Sequence, residues 1–107
     1  MIVAVPSSGN TMDSIVSERF ARCAWFYFYN SDTGQEEFIQ NTLKDIPEGA
    51  GPQVVEFLAD RKVNSIYATE VGPKAENLLK RLNINIILIE EQETIDKIRC
   101  YAIEKAK

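Results

Sequence analysis

Two segments in the second half of this chain share one pattern, in which glycine and proline precede an apolar helical sequence. Residues 49–58 (GAGPQVVEFL) place two glycines and a proline before an apolar helical pattern, and residues 71–75 (VGPKA) repeat the arrangement. Glycine permits backbone angles that a Cβ forbids, which we expect at Gly49 and Gly51, and proline suits the first helical position, which we expect for Pro52. Each segment therefore predicts a helix start. Two such starts can direct free N–H groups and positive dipole ends at one place.

The order of strand-like and helix-like segments predicts an α/β domain. After residue 50, helical patterns alternate with apolar strand-like runs, which requires parallel strands joined by right-handed crossovers. Residues 24–29, which contain five consecutive aromatics, and residues 36–41 predict a hairpin, and the apolar residues 2–5 suit the centre of a sheet covered on both faces. We therefore expect one domain over residues 1–107, with a mixed sheet of about five strands, one of them antiparallel, between helices.

Three local features carry further expectations. The connection after the first strand, residues 7–17, is long for a compact domain, and long connections are often functional. The acidic residues 90–94 are predicted to open the last helix. Ala75, Leu78, Leu79 and Leu82 share one helical face and are predicted to face the core.

Composition and charge exclude several classes of function. The net charge of −4 argues against binding to a nucleic-acid backbone. No apolar run approaches the roughly 20 residues of a transmembrane helix, and the first residues lack the pattern of a signal peptide. We therefore expect a cytoplasmic protein without a membrane or nucleic-acid partner, as a monomer or weak homodimer. The chain has no histidine, so no Ser–His or Cys–His pair is available and no enzymatic activity is predicted.

Cys23 is the leading candidate for a metal-binding side chain. It directly follows Arg22, and Arg19 lies just upstream. Nearby cations lower the pKa of a thiol and favour the thiolate, which binds soft metals. The alternative is that Cys23 is a small buried hydrophobic residue. The two arginines are predicted either to bind an anion or to be solvated cations, and Cys100 lies off the apolar face of the last helix, at the surface.

Four segments, in their order and spacing, resemble the dinitrogenase iron–molybdenum cofactor biosynthesis family. They are residues 5–7 (VPS), 16–23 (VSERFARC), 49–53 (GAGPQ) and 71–73 (VGP), and the resemblance covers essentially the whole chain. It implies a three-layer α/β/α fold with a ribonuclease-H-like motif. It also implies a small protein that holds or carries metal–sulfur clusters during cofactor assembly. Another branch of the family binds a noncovalent molybdenum–copper sulfide cluster.

The function expected from this resemblance is a non-enzymatic carrier of an iron–sulfur or molybdenum-containing sulfide cluster, with other cofactor-assembly proteins as partners. An iron–sulfur cluster normally takes about four thiolates, so backbone N–H groups, arginines or a dimer must help to hold it. The expected cofactor-binding residues, with Cys23 as metal ligand, are Ser7, Arg19, Arg22, Cys23, Gly49, Gly51 and Gly72. The alternative function is a sensor or binding module for a small anionic ligand or nucleotide at the same two helix starts.

Overall fold

The fold is a five-stranded mixed sheet with helices on both faces, as the sequence predicted. The computed structural model describes residues 1–106, with side chains to residue 105. In chain order the elements are β1 (Ile2–Ser7), β2 (Trp25–Asn30), β3 (Glu36–Gln40), α1 (Ala50–Asp60), β4 (Ser65–Ala68), α2 (Pro73–Arg81), β5 (Asn85–Leu88) and α3 (Ile95–Ala106). No helix in this part of the chain is long and apolar enough to cross a membrane.

The strand order is β3-β2-β1-β4-β5, with β1 at the centre. β2 runs antiparallel to β1 and β3, whereas β1, β4 and β5 pair in parallel. The predicted hairpin, the single antiparallel strand and the central place of the first strand are therefore confirmed. Since β4 and β5 follow α1 and α2 in parallel crossovers, both helices lie on the same side of the sheet.

Alternating side chains of the inner strands build two separate apolar clusters. Ala4, Phe26 and Phe28 lie in the cluster beneath α1 and α2. Val5 and Tyr27, adjacent in sequence to members of that cluster, lie on the opposite face with α3. Because successive strand residues point to opposite faces, a strand buried on both sides must be apolar throughout. The aromatic run of β2 meets this requirement.

The long connection of residues 8–17 has a structural role that was not expected. It returns along the end of β1, where Ser7 and Val16 form an antiparallel bridge, and Val16 is buried in the cluster beside α3. The backbone N–H of Ser17 donates to the carbonyl of Pro6 at 2.8 Å. The connection therefore extends the ladder of β1 beyond its pairing with β4, which covers only Val3 and Ala4.

Two other expectations about the helices were wrong. Residues 90–94 precede α3, which begins at Ile95, because Gln92 adopts a positive φ of 68° in a turn and the backbone of Thr94 pairs with that of Ile15. Leu82 follows the last residue of α2 and is 49% exposed, so the apolar face of that helix ends with Leu79, which is fully buried.

Leu79 and Leu82 provide a matched pair for testing how α2 packs. We expect Leu79→Ala to lower the free energy of unfolding by about 2–5 kcal/mol, because it leaves a cavity between α2 and the sheet. Leu82→Ala should change it by less than about 0.5 kcal/mol, because the side chain is half exposed. Denaturant unfolding monitored by circular dichroism measures both values, and equal losses would contradict this packing.

Candidate functional site

The start of α1 depends on a glycine in the left-handed region. Gly49 precedes the helix with φ 75° and ψ 20°, a conformation that costs other L-residues free energy. The helix begins at Ala50, two residues before Pro52, so the expected place of Pro52 at the first helical position was wrong. The first helical hydrogen bond comes from the N–H of Gln53 to the carbonyl of Gly49 at 3.1 Å. The N–H groups of Ala50 and Gly51 therefore have no partner within the helix.

The start of α2 follows the predicted design more closely. Gly72 has extended backbone angles, φ −64° and ψ 157°, and Pro73 is the first helical residue. The N–H of Glu76 donates to the carbonyl of Gly72 at 2.9 Å, which leaves the N–H groups of Lys74 and Ala75 without a helical partner. Proline at the first position has no N–H to leave unsatisfied.

The start of α3 contrasts with both, because its free N–H groups already have partners. The N–H of Ile95 donates to the carbonyl of Ser14 at 2.9 Å, and that of Asp96 donates to the carbonyl of Met12 at 3.0 Å. The next N–H, of Lys97, donates to Oγ1 of Thr94 at 3.3 Å. The long connection after β1 thus caps α3, and only α1 and α2 among the described helices present uncapped starts.

The uncapped starts of α1 and α2 lie side by side. A Cβ built on Gly51 would be 3.7 Å from Cβ of Ala75, which is ordinary van der Waals contact. Gly51 has no positive φ, so the expectation that its backbone excludes a Cβ was wrong. The short distance shows that the two helix starts lie close together, and a methyl group at position 51 would still fit between them.

A groove of about 560 Å³, hereafter the helix-start groove, lies where these two starts meet the segment before β2. Its lining residues come from three segments, namely Glu18, Arg19, Phe20, Ala21, Gly49, Gly51, Pro52, Glu70, Gly72, Pro73, Lys74 and Ala75. Glu70 lies two residues after the carboxyl end of β4, where ligands of parallel α/β sheets generally bind. The described side chains give Arg19 and Lys74 no ion pair, so both cations are available to an anion.

The structure brings together only some of the residues that the sequence selected. Arg19, Gly49, Gly51 and Gly72 all line the groove, and their role in binding stays a prediction. Ser7, Arg22 and Cys23 are not among the lining residues. The hydroxyl of Ser7 is fully buried and donates to the carbonyl of Gly9 at 2.6 Å.

Arg22 binds backbone carbonyls of the chain and does not line the helix-start groove. Its Nη1 donates to the carbonyl oxygens of Lys44 and Ile46, at 2.8 and 2.9 Å. These two bonds hold the connector between β3 and α1 against the segment before β2. A structural role therefore accounts for the charge that was expected to assist Cys23.

Cys23 lies in the apolar core with 1% of its surface exposed. Burial raises its pKa from 9.0 to about 12, so the expectation that nearby cations would favour the thiolate was wrong. The side-chain amide of Asn41 is one polar neighbour: its Nδ2 lies 3.8 Å from Sγ and donates to the carbonyl of Cys23 at 2.9 Å. This environment favours the alternative, a small buried hydrophobic residue, and the metal-ligand role stays a prediction without structural support.

Sequence reasoning missed several residues of the groove. Glu18 and Phe20 lie in the same motif as Arg19, and Lys74 follows Pro73 directly, yet none of the three was selected. The available signal was the position of Lys74 within the first turn of a predicted helix. A side chain in a first turn lies near the free N–H groups, so it is a candidate for any site built on them.

The fold and the groove define an α/β/α protein in which two helix starts line a groove near the carboxyl ends of the parallel strands. The sequence matches the dinitrogenase iron-molybdenum cofactor family over residues 1–104. An uncharacterized protein from Methanocaldococcus jannaschii is 30% identical over 89 residues, which cover 80% of this chain and 72% of that protein. The chain therefore belongs to the dinitrogenase iron-molybdenum cofactor family.

Solved structures agree with this assignment. The apo form of the orange protein from Desulfovibrio gigas superposes with a TM-score of 0.88 at 26% identity, covering 97% of this chain and 88% of that one. A putative NifB protein from Thermotoga superposes with a TM-score of 0.79 at 34% identity, covering 94% and 86%. The fold expected from the resemblance is confirmed.

Gly49 and Gly72 allow a test of the two helix starts. We expect Gly49→Ala to lower the free energy of unfolding by about 1–2 kcal/mol, since alanine is strained at this positive φ. Gly72→Ala should stay within about 0.5 kcal/mol of the parent, because its φ is ordinary and its Cβ would meet no atom within 4 Å. Thermal and denaturant melts measure both changes. Similar losses in the two variants would be inconsistent with these conformations.

The two cysteines should differ in reactivity. In the folded protein at neutral pH, we expect iodoacetamide to modify the exposed Cys100 and to leave Cys23 unmodified, since Cys23 is buried and its pKa is raised. Peptide mass spectrometry at successive times measures the two rates. In denaturant both thiols should react alike, which is the control. Equal rates in the folded protein would show that Cys23 is accessible.

Proposed function

We propose that this protein is a non-enzymatic carrier that binds an anionic metal–sulfur cluster, or a precursor of one, in the helix-start groove during cofactor assembly. The observation that carries the proposal is the meeting of two uncapped helix starts beside Arg19 and Lys74. Helix N-termini bind anions because their N–H groups point outward and the helix dipole is positive there. Membership of the dinitrogenase iron-molybdenum cofactor family supports a sulfide cluster as the anion.

The donors at the groove favour binding the cargo as a whole anion. The lining residues include no cysteine and no histidine. Across the part of the chain that the structure describes, no three side chains of the metal-binding types come together. Backbone N–H groups and the guanidinium of Arg19 can donate hydrogen bonds to the sulfide and oxide atoms at the surface of a cluster. Binding without a protein–metal bond also allows release, as a carrier requires.

Two carboxylates temper the positive character of the groove. Glu18 and Glu70 line the groove together with Arg19 and Lys74. Both glutamates are exposed, and neither has an ion-pair partner among the described residues. Because like charges repel, the carboxylates weaken the attraction for an anion. A carrier has to deliver its cargo to other assembly proteins, so moderate affinity suits the proposed role. The proposal keeps the cytoplasmic location and the protein partners that were expected from the sequence.

A second candidate function is a sensor of a small anionic ligand or nucleotide. The same N–H groups suit a phosphate, and Phe20 in the lining offers an aromatic side chain beside them. The two candidate functions use the same groove and differ only in the anion that is bound. A direct comparison of ligands therefore separates them.

Tetrathiomolybdate, a small molybdenum–sulfide dianion, is a suitable probe of the groove. We expect the full chain to bind it, and Arg19→Gln and Lys74→Gln each to weaken binding about two- to fivefold, because each removes one exposed cation from the groove. Glu70→Gln should strengthen binding to a similar degree. Anaerobic equilibrium dialysis with molybdenum analysis gives the dissociation constants.

The matched control is Lys62→Gln, which makes the same change of charge beyond the other end of α1. It should leave binding unchanged, and a loss equal to that of Lys74→Gln would point to nonspecific attraction. Equilibrium dialysis of ATP, with the nucleotide measured by its absorbance, tests the sensor function. Binding of ATP without binding of tetrathiomolybdate would reject the carrier in favour of the second candidate.

A further inference from the structure

β5 is a short edge strand without the charged residues or proline that usually prevent one sheet from pairing with another. It is the outermost strand beside β4. Residues 84–89 (INIILI) contain no charged residue, proline or glycine, and Leu88 is 65% exposed. Edge strands are usually protected by charges, prolines or bulges, since their unpaired backbone groups can bind another chain.

The backbone of β5 presents a definite set of outward groups. The N–H of Asn85 donates to the carbonyl of Asn64, and that of Ile89 donates to the carbonyl of Ala68, each at 2.9 Å. Because N–H and C=O groups alternate in direction along a strand, those of Ile86 and Leu88 point away from β4. The free edge therefore offers two donors and two acceptors at alternate residues.

The opposite edge of the sheet is protected. In β3, Glu37 forms an ion pair with Arg61, whose guanidinium also lies 4.4 Å from the ring centroid of Phe28. Glu36 forms an ion pair with Arg99 at 3.2 Å and accepts a hydrogen bond from Tyr27 at 2.6 Å. Charged side chains on an edge oppose pairing, so the two edges differ in their capacity to bind a further strand.

The free groups of β5 complement a second copy of the same strand. If two β5 strands run antiparallel with Ile87 at the two-fold axis, Ile86 stands opposite the partner's Leu88. Residues paired in this way exchange both N–H···O bonds, and here these are the residues whose groups are unpaired. The exposed side chain of Leu88 then packs beside the partner's Ile86 on the same face of the sheet.

The charges at the two ends of β5 also complement each other in this arrangement. Lys80 and Arg81 precede the strand at the end of α2, and Glu90 and Glu91 follow it. Lys80 pairs with Glu76, whereas Arg81, Glu90 and Glu91 have no ion pair among the described residues. An antiparallel partner brings the basic end of one strand towards the acidic end of the other, which favours this orientation.

We propose that β5 is a dimerisation edge through which two copies of this chain form a continuous ten-stranded sheet by antiparallel β5–β5 pairing. The interface is isologous, as two-fold symmetry requires. Its axis runs perpendicular to the sheet, so the two helix-start grooves stay open at opposite ends of the dimer. The proposal does not depend on what the grooves bind. A strand of this length buries less than the roughly 1,200 Å² of a stable interface, so the dimer is weak and depends on concentration.

Sedimentation velocity of the full chain from about 1 μM to about 1 mM, a range that covers weak complexes, tests the proposal. We expect the sedimentation coefficient to rise from monomer to dimer. Leu88→Lys should abolish the rise by placing a charge on the edge, and Leu88→Pro should abolish it by removing an outward N–H, a change that edge strands tolerate. The matched control is Leu82→Lys, on a half-exposed leucine after α2, which should leave the rise intact. A monomer at every concentration would overturn the proposal.

Two measurements identify the interface itself. Hydrogen exchange followed by NMR should show the N–H groups of Ile86 and Leu88 slowing severalfold at high concentration, while that of Asn85 changes little because it is already bonded. Arg81→Glu and Glu90→Arg should each weaken the dimer, and the double variant should restore it. If a dimer forms but the exchange rates of the Ile86 and Leu88 N–H groups do not change, the interface is on another surface. The same conclusion follows if neither charge reversal weakens the dimer.

Discussion

The short parallel pairing of β1 with β4 is the interaction on which the rest of the structure depends. The two strands pair only through Val3 and Ala4 of β1. Beyond that point, residues 8–17 follow the edge of β1, while the chain leaves β4 after Ala68 and leads to the start of α2 at Pro73. The strands therefore diverge towards their carboxyl ends, where parallel α/β sheets generally bind ligands. The buried side chains of β1 on both faces fix this geometry, because any shift would expose them.

The three long helices use their N-terminal N–H groups in two different ways. Those of α3 are capped by the carbonyls of Met12 and Ser14, which makes its start an internal junction. Those of α1 and α2 meet beside the cations Arg19 and Lys74. The connection of residues 8–17 thus caps α3, whereas the glycine-containing starts of α1 and α2 leave backbone N–H donors without a helical partner. In a chain with a net charge of −4, this division places two positive helix-dipole ends and two cations in one groove.

Binding at the groove and pairing at β5 place different demands on the same chain. The groove requires close approach of two helices, which Gly51 and Ala75 allow. The edge of β5 requires an uncharged strand with free backbone groups, which residues 84–89 provide. The ion pairs of Arg61 and Arg99 with β3 restrict further pairing to one side of the sheet. A two-fold dimer would keep both grooves accessible.

The sequence alone determined the order of elements, the central place of β1 and the two helix starts, because these depend on local patterns such as the aromatic alternation of β2 and the glycines before α1 and α2. It selected Arg19 only for its position upstream of Cys23, whereas the structure places Arg19 beside those helix starts. Only the tertiary structure decided the roles of Cys23 and Arg22. Their neighbours in the fold, Asn41 and the carbonyls of Lys44 and Ile46, lie about twenty residues away in sequence, as their 18- to 24-residue separations show. Burial and hydrogen bonding over such separations arise when the chain packs, so the pKa of a thiol and the partner of a guanidinium follow from the fold and not from adjacent residues.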